Sequence, residues 1–326
     1  MVLAAACLGG TAVAQSAAYE RAQEFFAAKQ YAEAAAVLQA AITAEQPPAQ
    51  AHLLLGKALI NGGRFDEAER ILRRYVTARP ASAEGRYLLA YALFRRGRAR
   101  ESLGEYREAV KFAPPTSDDL KVIGLNCGLL GDYALAADYL RRASEADPNN
   151  LEALYYLGRV YYEQNRFADA VKTFRGVLAR EPRHVKAQNH LGQALEGQNE
   201  VEAAIAAYRR AIELDRGALK PSELPLVNLG ALLLQRDEID EALALLRRAV
   251  QLNPDSAQVR FQLGKAYLRL GQEGEAEREL HAATRLNPQD KGAHYQLGRL
   301  YLRLGKPELA RRELEISEKL GGARNK

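Results

Sequence analysis

Three features of this sequence predict an all-α fold, a solenoid of about nine stacked helix–turn–helix repeats. Glycine recurs every 34 residues, at Gly56, Gly124, Gly158 and Gly192, with Ala90 in the missing slot. Proline keeps the same period at Pro80, Pro114, Pro148 and Pro182; after a slip of four residues the pattern resumes with Gly230, Gly264, Gly298, Pro254 and Pro288. Alanine, leucine, arginine and glutamate dominate, and strand-type alternation is absent. A fixed period of this length marks helical hairpins that bury their apolar faces on one another.

Residues 151–184 show what one repeat is. Leu154, Leu157, Gly158 and Tyr161 share one stripe of a first helix, and Ala170, Phe174 and Val177 repeat the spacing in a second. Between the helices lies a slot that reads Gly63, Gly97, Gly131, Asn165, Asn199, Asp237, Gly271 and Gly305 along the chain. These residue types tolerate a left-handed backbone, so the slot ends the first helix and turns the chain. Glycine inside a helix costs about 1 kcal/mol relative to alanine. Its recurrence at position 8, with a small residue at position 20 (Ala34, Ala68, Ser102, Ala136 and onward), therefore predicts close approach of the paired helices. The proline near position 32 ends the second helix.

The pattern W-x2-L-G-x2-Y…A-x3-F…P that these positions follow resembles the tetratricopeptide repeat. Copies run 15–48, 49–82, 83–116, 117–150, 151–184, 185–218, 223–256, 257–290 and 291–324, with an inserted linker at 219–222 and a tail at 325–326. No copy has the tryptophan, Ala22 replaces the first glycine, and Arg216 stands where proline is expected. The resemblance implies a right-handed α-solenoid, a superhelix whose first helices line a concave groove.

The 326 residues carry 46 basic and 41 acidic side chains, a formal net charge of +5. So small an excess argues against a nucleic-acid partner. Arginine pairs such as Arg73-Arg74 and Arg141-Arg142 read as solvated residues near the ends of second helices, where cations suit the helix dipole. Cys127 replaces a core tyrosine and reads as a small buried hydrophobe.

The segment 1–14 is apolar, rich in small residues and off the repeat grid. It reads as a signal peptide, shortened at its front, with cleavage after Ala14 in an Ala12-Val13-Ala14 site. Export to the periplasm, the cell envelope or the medium is the expectation. Lipid attachment at Cys7 ranks second, and a cytoplasmic location is the remaining alternative.

Catalytic constellations are not found in the sequence. His52, His184, His190, His281 and His294 lack metal-site spacing, and no G-x-S-x-G, P-loop or dinucleotide fingerprint occurs. No enzyme activity, metal or small-molecule cofactor is expected. The partners expected are proteins or peptides held in the groove.

Positions 2, 5, 9 and 12 of each copy point into that groove in the family the chain resembles. Carried over, they nominate Tyr87, Tyr91, Lys121, Tyr155, Arg159, Asn189, Phe261, Lys265, Tyr295 and Arg299. Aromatics interleaved with cations suit an extended peptide or a helix, while packing between repeats is the alternative for Tyr87, Tyr91 and Tyr155. A chaperone-tail carboxylate clamp matches only at Lys121 and Lys186, since Leu125, Tyr156 and His190 fill its other places.

Two irregularities carry expectations of their own. The insert GALKPS is expected to bend or separate the solenoid. Leu309, Ile316 and Leu320 are expected to stay partly uncovered and to support end-to-end self-association through the last repeat. The reading is a non-catalytic scaffold of the bacterial envelope, acting in assembly, secretion or complex organisation. The alternatives are the repeat arm of a glycosyltransferase or peptidase system, and a cytoplasmic regulator.

Overall fold

The computed structural model describes residues 17–44 and 49–322. The expected leader with Cys7, and residues 323–326, lie outside the described residues. Among the described residues every regular element is a helix. They are α1 (17–27), α2 (Tyr31–Ala44), α3 (Ala49–Asn61), α4 (Phe65–Ala78), α5 (Ala83–Arg95) and α6 (Ala99–Ala109). Then come α7 (Ser117–Leu129), α8 (Tyr133–Ala146), α9 (Leu151–Glu163), α10 (Phe167–Arg180), α11 (Val185–Gly197) and α12 (Val201–Asp215). The last six are α13 (Leu224–Gln235), α14 (Ile239–Leu252), α15 (Ala257–Arg269), α16 (Glu273–Leu286), α17 (Lys291–Arg303) and α18 (Pro307–Gly322).

The turn slot behaves as its composition requires. Gly63, Gly97, Gly131, Asn165, Asn199, Asp237, Gly271 and Gly305 all have positive φ, between 57° and 82°. Lys29 takes the same conformation in the first hairpin at φ 60°, without a residue type that favours it. Six first helices open on a cap that the period places just before them, whereas Glu223 before α13 makes no side-chain cap. Ser82, Thr116, Asn150, His184, Ser256 and Asp290 all accept a backbone N–H of the helix they precede.

Close approach within a hairpin also has a direct cause. A Cβ at Gly124 would lie 2.7 Å from Leu140, and one at Gly192 would lie 2.5 Å from the ring of Tyr208. Glycine on the first helix is thus the socket for the large side chain of the second. The small residues opposite, including Ala136, Ala204, Ala242 and Ala276, are fully buried.

The chain divides into two compact units, 1–164 and 165–326. In the first, α3 touches α5, α5 touches α7 and α7 touches α9; in the second, α11 touches α13 and α13 touches α15. Second helices of successive hairpins make no comparable contact among the described residues. First helices therefore lie on the inside of the bend within each unit.

The insert does not separate its neighbours. The extra residues are looped out, with Leu219 fully exposed and Gly217 at φ 86°, and α13 still packs on α11 and α12. The Asp215 carboxylate accepts the Ser222 N–H at 2.5 Å, and Asn228 donates to Asn189 at 3.0 Å. These bonds hold the two sides of the loop together, which corrects the expected separation.

Ion pairs recur between hairpins at roughly one-repeat spacing. Lys57 pairs with Glu84 at 2.6 Å and Lys121 with Glu152 at 2.9 Å. In the second unit Arg209 pairs with Glu241 at 3.0 Å, Arg269 with Asp237 at 3.1 Å and Arg303 with Glu273 at 2.7 Å. Exposed pairs of this kind contribute about 0–1 kcal/mol each. Their larger consequence is that they occupy cations which would otherwise face a ligand.

Candidate protein-binding surface

The first helices of unit 1 carry five of the nominated residues. Tyr87 packs on Tyr106 with ring centroids 5.7 Å apart, and its hydroxyl donates to the carbonyl of Ala113 at 2.7 Å. Burial, with the charge of Asp119 nearby, pushes its phenol up to about 12. Its main work is thus to fasten the chain that follows α6. Tyr91 is half-buried and accepts a hydrogen bond from Arg95 at 3.1 Å. Lys121 is held by Asp118 at 2.8 Å and Glu152 at 2.9 Å. Burial opposes its charge, yet the two carboxylates outweigh that and raise its ammonium above the ordinary value. Tyr155 is only 7% exposed and packs edge-on to Tyr156 at 5.3 Å, so its ring is interior.

Arg159 differs from these. It is exposed, stacks over Tyr156 at 5.6 Å and has no carboxylate partner among the described residues. It lines a pocket of about 370 Å³ together with Phe94, Leu125, Leu129, Tyr133 and Tyr156. Leu129, the last residue of α7, is 64% exposed there. Glu163 lines it too, so one cation and one carboxylate accompany an aromatic and aliphatic lining that suits an apolar side chain of a polypeptide.

Unit 2 carries the other five. Asn189 is 4% exposed and is used by Asn228, so it joins two first helices rather than facing solvent. Phe261 is half-buried against α17, where a Cβ on Gly292 would meet its ring at 3.4 Å. Lys265 lies 5.5 Å over the Phe261 ring, and Arg299 lies 5.8 Å over that of Tyr295. Lys265 and Arg299 line one pocket of about 320 Å³ with Leu268, Arg269, Gln296, Leu300 and Arg303. Its chemistry is cationic, where that of the unit 1 pocket is aromatic.

The histidines are structural where their contacts are defined. His184 caps α11 through Nδ1 at 3.1 Å, and His294 is buried against Glu313. Cys127 is buried, and burial followed by the charge of Asp132 pushes its thiol up to about 11. No cluster of metal-ligating side chains occurs, and no helix is long and apolar enough to cross a membrane, among the described residues.

The tetratricopeptide repeat matches residues 25–90, 129–177 and 233–291, and further matches cover 158–218 and 292–315. Together these span well over half of the sequence. The chain belongs to the tetratricopeptide repeat family. Among solved structures, the APC/C hetero-tetramer Cut9–Hcn1 is 17% identical, with a TM-score of 0.62 over 86% of this chain and 54% of that one. Yeast Tom70 is 21% identical, with a TM-score of 0.59 over 86% of this chain and 61% of that one. The C-terminal part of a TPR repeat-containing protein from Cytophaga hutchinsonii is 19% identical, with a TM-score of 0.58 over 75% of this chain and 99% of that one. At these identities the likeness is one of fold. No curated protein matches the sequence.

Within this tetratricopeptide array, the sequence positions that nominate groove residues miss Leu129, Tyr133, Arg269 and Arg303. The last two had a readable signal, since they fall 34 residues apart on the turn beside Lys265 and Arg299.

Proposed function

We propose that the chain is a non-catalytic scaffold that binds segments of partner proteins against the first-helix face of each unit. The observation that carries this reading is the exposure of apolar side chains on the inner helices. Leu129 of α7 and Leu302 of α17 stay open to solvent, each near an arginine that no carboxylate holds among the described residues, Arg159 and Arg299. Apolar surface beside an unpaired cation is the composition of interface anchors. A tetratricopeptide array supports the same reading, because its contacts are consumed in stacking and leave side chains of the inner helices for a ligand.

The test is crosslinking and capture from the native organism, comparing the unaltered chain with a Leu129→Ser, Arg159→Ala double variant. Loss of captured partners with unchanged helical circular dichroism is expected. Equal capture by both forms would remove the unit 1 pocket from the binding surface.

The working site we propose is the bacterial cell envelope, on the strength of the apolar leader and its Ala12-Val13-Ala14 sequence. Sequencing the N-terminus of the native protein checks it, and a cytosolic product that retains Met1 refutes it. End-to-end association through the last hairpin belongs to the same proposal. Leu309 is 44% exposed, and Ile316 and Leu320 are only partly buried. Light scattering should show mass rising with concentration and falling back in Leu309→Glu.

A further inference from the structure

The pocket between α15 and α17 in unit 2 is strongly cationic. Four cations reach it, Lys265 and Arg269 from one hairpin and Arg299 and Arg303 from the next, and no carboxylate lines it. Arg269 and Arg303 each spend one bond outward, on Asp237 at 3.1 Å and Glu273 at 2.7 Å. Among the described residues Lys265 bonds only the neutral amide of Gln262, at 3.2 Å, and Arg299 rests on the Tyr295 ring. Two positive charges therefore remain uncompensated in a partly enclosed site.

Such crowding costs free energy in the empty protein. Burial, and then the like charge of Arg269, hold the Lys265 ammonium below its ordinary value. At the same repeat position Lys57 is neutralised by Glu84 of the adjacent hairpin. Lys265 and Arg299 have no such carboxylate among the described residues, as Arg159 has none in unit 1. In unit 2, however, two of these cations share one pocket, and an arriving anion would relieve their crowding.

We propose that this pocket binds an internal acidic stretch of a partner polypeptide in which carboxylates alternate with apolar residues. Carboxylates seat between Lys265 and Arg299, where charge-assisted hydrogen bonds are available to both. Apolar residues meet Leu268 on the pocket wall and the exposed Tyr295 and Leu302 on the same face of α17. Bare inorganic anions use the cations alone, so the apolar wall favours a peptide. The four cations lie on the last turns of the two helices and make no demand for a terminal carboxylate. The inference rests on the scaffold reading and assigns its ligand chemistry in this unit.

Fluorescence anisotropy with the full chain tests it, using a labelled, C-terminally amidated peptide of alternating Asp and Leu. A peptide with Asn in place of Asp is the neutral comparison. Binding of the Asp peptide should exceed that of the Asn peptide by at least about tenfold and weaken with added salt. A Lys265→Met, Arg299→Gln variant should lose a comparable factor. A Lys265→Glu, Arg299→Glu variant should instead prefer a Lys–Leu peptide, a gain that misfolding cannot mimic. Equal binding of Asp and Asn peptides, full retention by the neutral variant, or displacement of the Asp peptide by inorganic phosphate or single-stranded DNA at equal concentration would each overturn the proposal. If the charge preference fails while native partners are still captured, only this assignment falls. If capture fails as well, the scaffold reading falls with it.

Discussion

His294 holds the carboxylate of Glu313 at 2.6 Å through Nδ1 and turns Nε2 toward the carbonyl of Pro288, 3.2 Å away. Arg86 makes the same pair of contacts in its own hairpin, to Glu105 at 2.8 Å and Pro80 at 2.8 Å, and Arg260 makes them to Glu279 and Pro254. Each side chain ties the loop before a first helix to the second helix of the same hairpin. Both partners of His294 are groups to which a guanidinium at this place donates, as Arg86 and Arg260 do in their own hairpins. His294→Arg should therefore keep the melting temperature close to that of the unaltered chain. His294→Ala should destabilise the last hairpin by about 1.5–3 kcal/mol, seen as faster hydrogen exchange across α17 and α18.

Glu69 of unit 1 is a buried carboxylate reached by Arg73 at 2.7 Å, Arg98 at 2.6 Å and Arg96. Burial alone would raise its carboxyl, but the three guanidinium groups outweigh it and hold the group below its ordinary value. A carboxyl depressed in the fold stabilises fully above the ordinary carboxylate range and loses that contribution as pH falls through the depressed value. Glu69→Gln should lower thermal stability at neutral pH by about 1–3 kcal/mol and flatten the acid limb of the melting curve. A variant whose acid limb matches the unaltered chain would show that Glu69 does not contribute.

Two glycines should respond in opposite directions to the same substitution. Gly192→Ala places a methyl against Tyr208, whose hydroxyl is anchored to Glu196 at 2.9 Å, so the ring has little room to yield. Overpacking of this kind costs about 1–3 kcal/mol. A Cβ added at Gly104 in α6 would meet nothing within 4 Å, and Gly104→Ala should stabilise by about 0.5–1 kcal/mol. Parallel thermal melts separate the two outcomes.

Tyr106 is buried with a hydroxyl that finds no hydrogen-bond partner among the described residues, and burial pushes its phenol well above the ordinary value. Removing an unpaired buried hydroxyl is neutral or favourable. Tyr106→Phe should leave the melting temperature unchanged or raised. A fall would mean that the hydroxyl has a role in the folded protein.

The hairpin plan was legible because it rests on local rules. A residue that tolerates positive φ every 34 positions fixes the turns, as Asn165 and Gly271 show. The glycine at 124 and the small residue at 136 likewise announce a tight helix pair. What one period cannot encode is the fate of a side chain shared between two hairpins. Tyr155 and Asn189 occupy the nominated positions yet are buried, because neighbouring helices consume them. Lys121 is consumed by Glu152, which lies 31 residues away. Lys265 escapes because Gly292 stands where Glu84 stands for Lys57, a fact visible only when two repeats are laid side by side.

Contacts in this molecule join helices that are adjacent in the chain or next but one. A hairpin within a unit thus leans on its immediate neighbours alone. Heating should consequently open each unit hairpin by hairpin, with a fault in one felt mainly by those beside it.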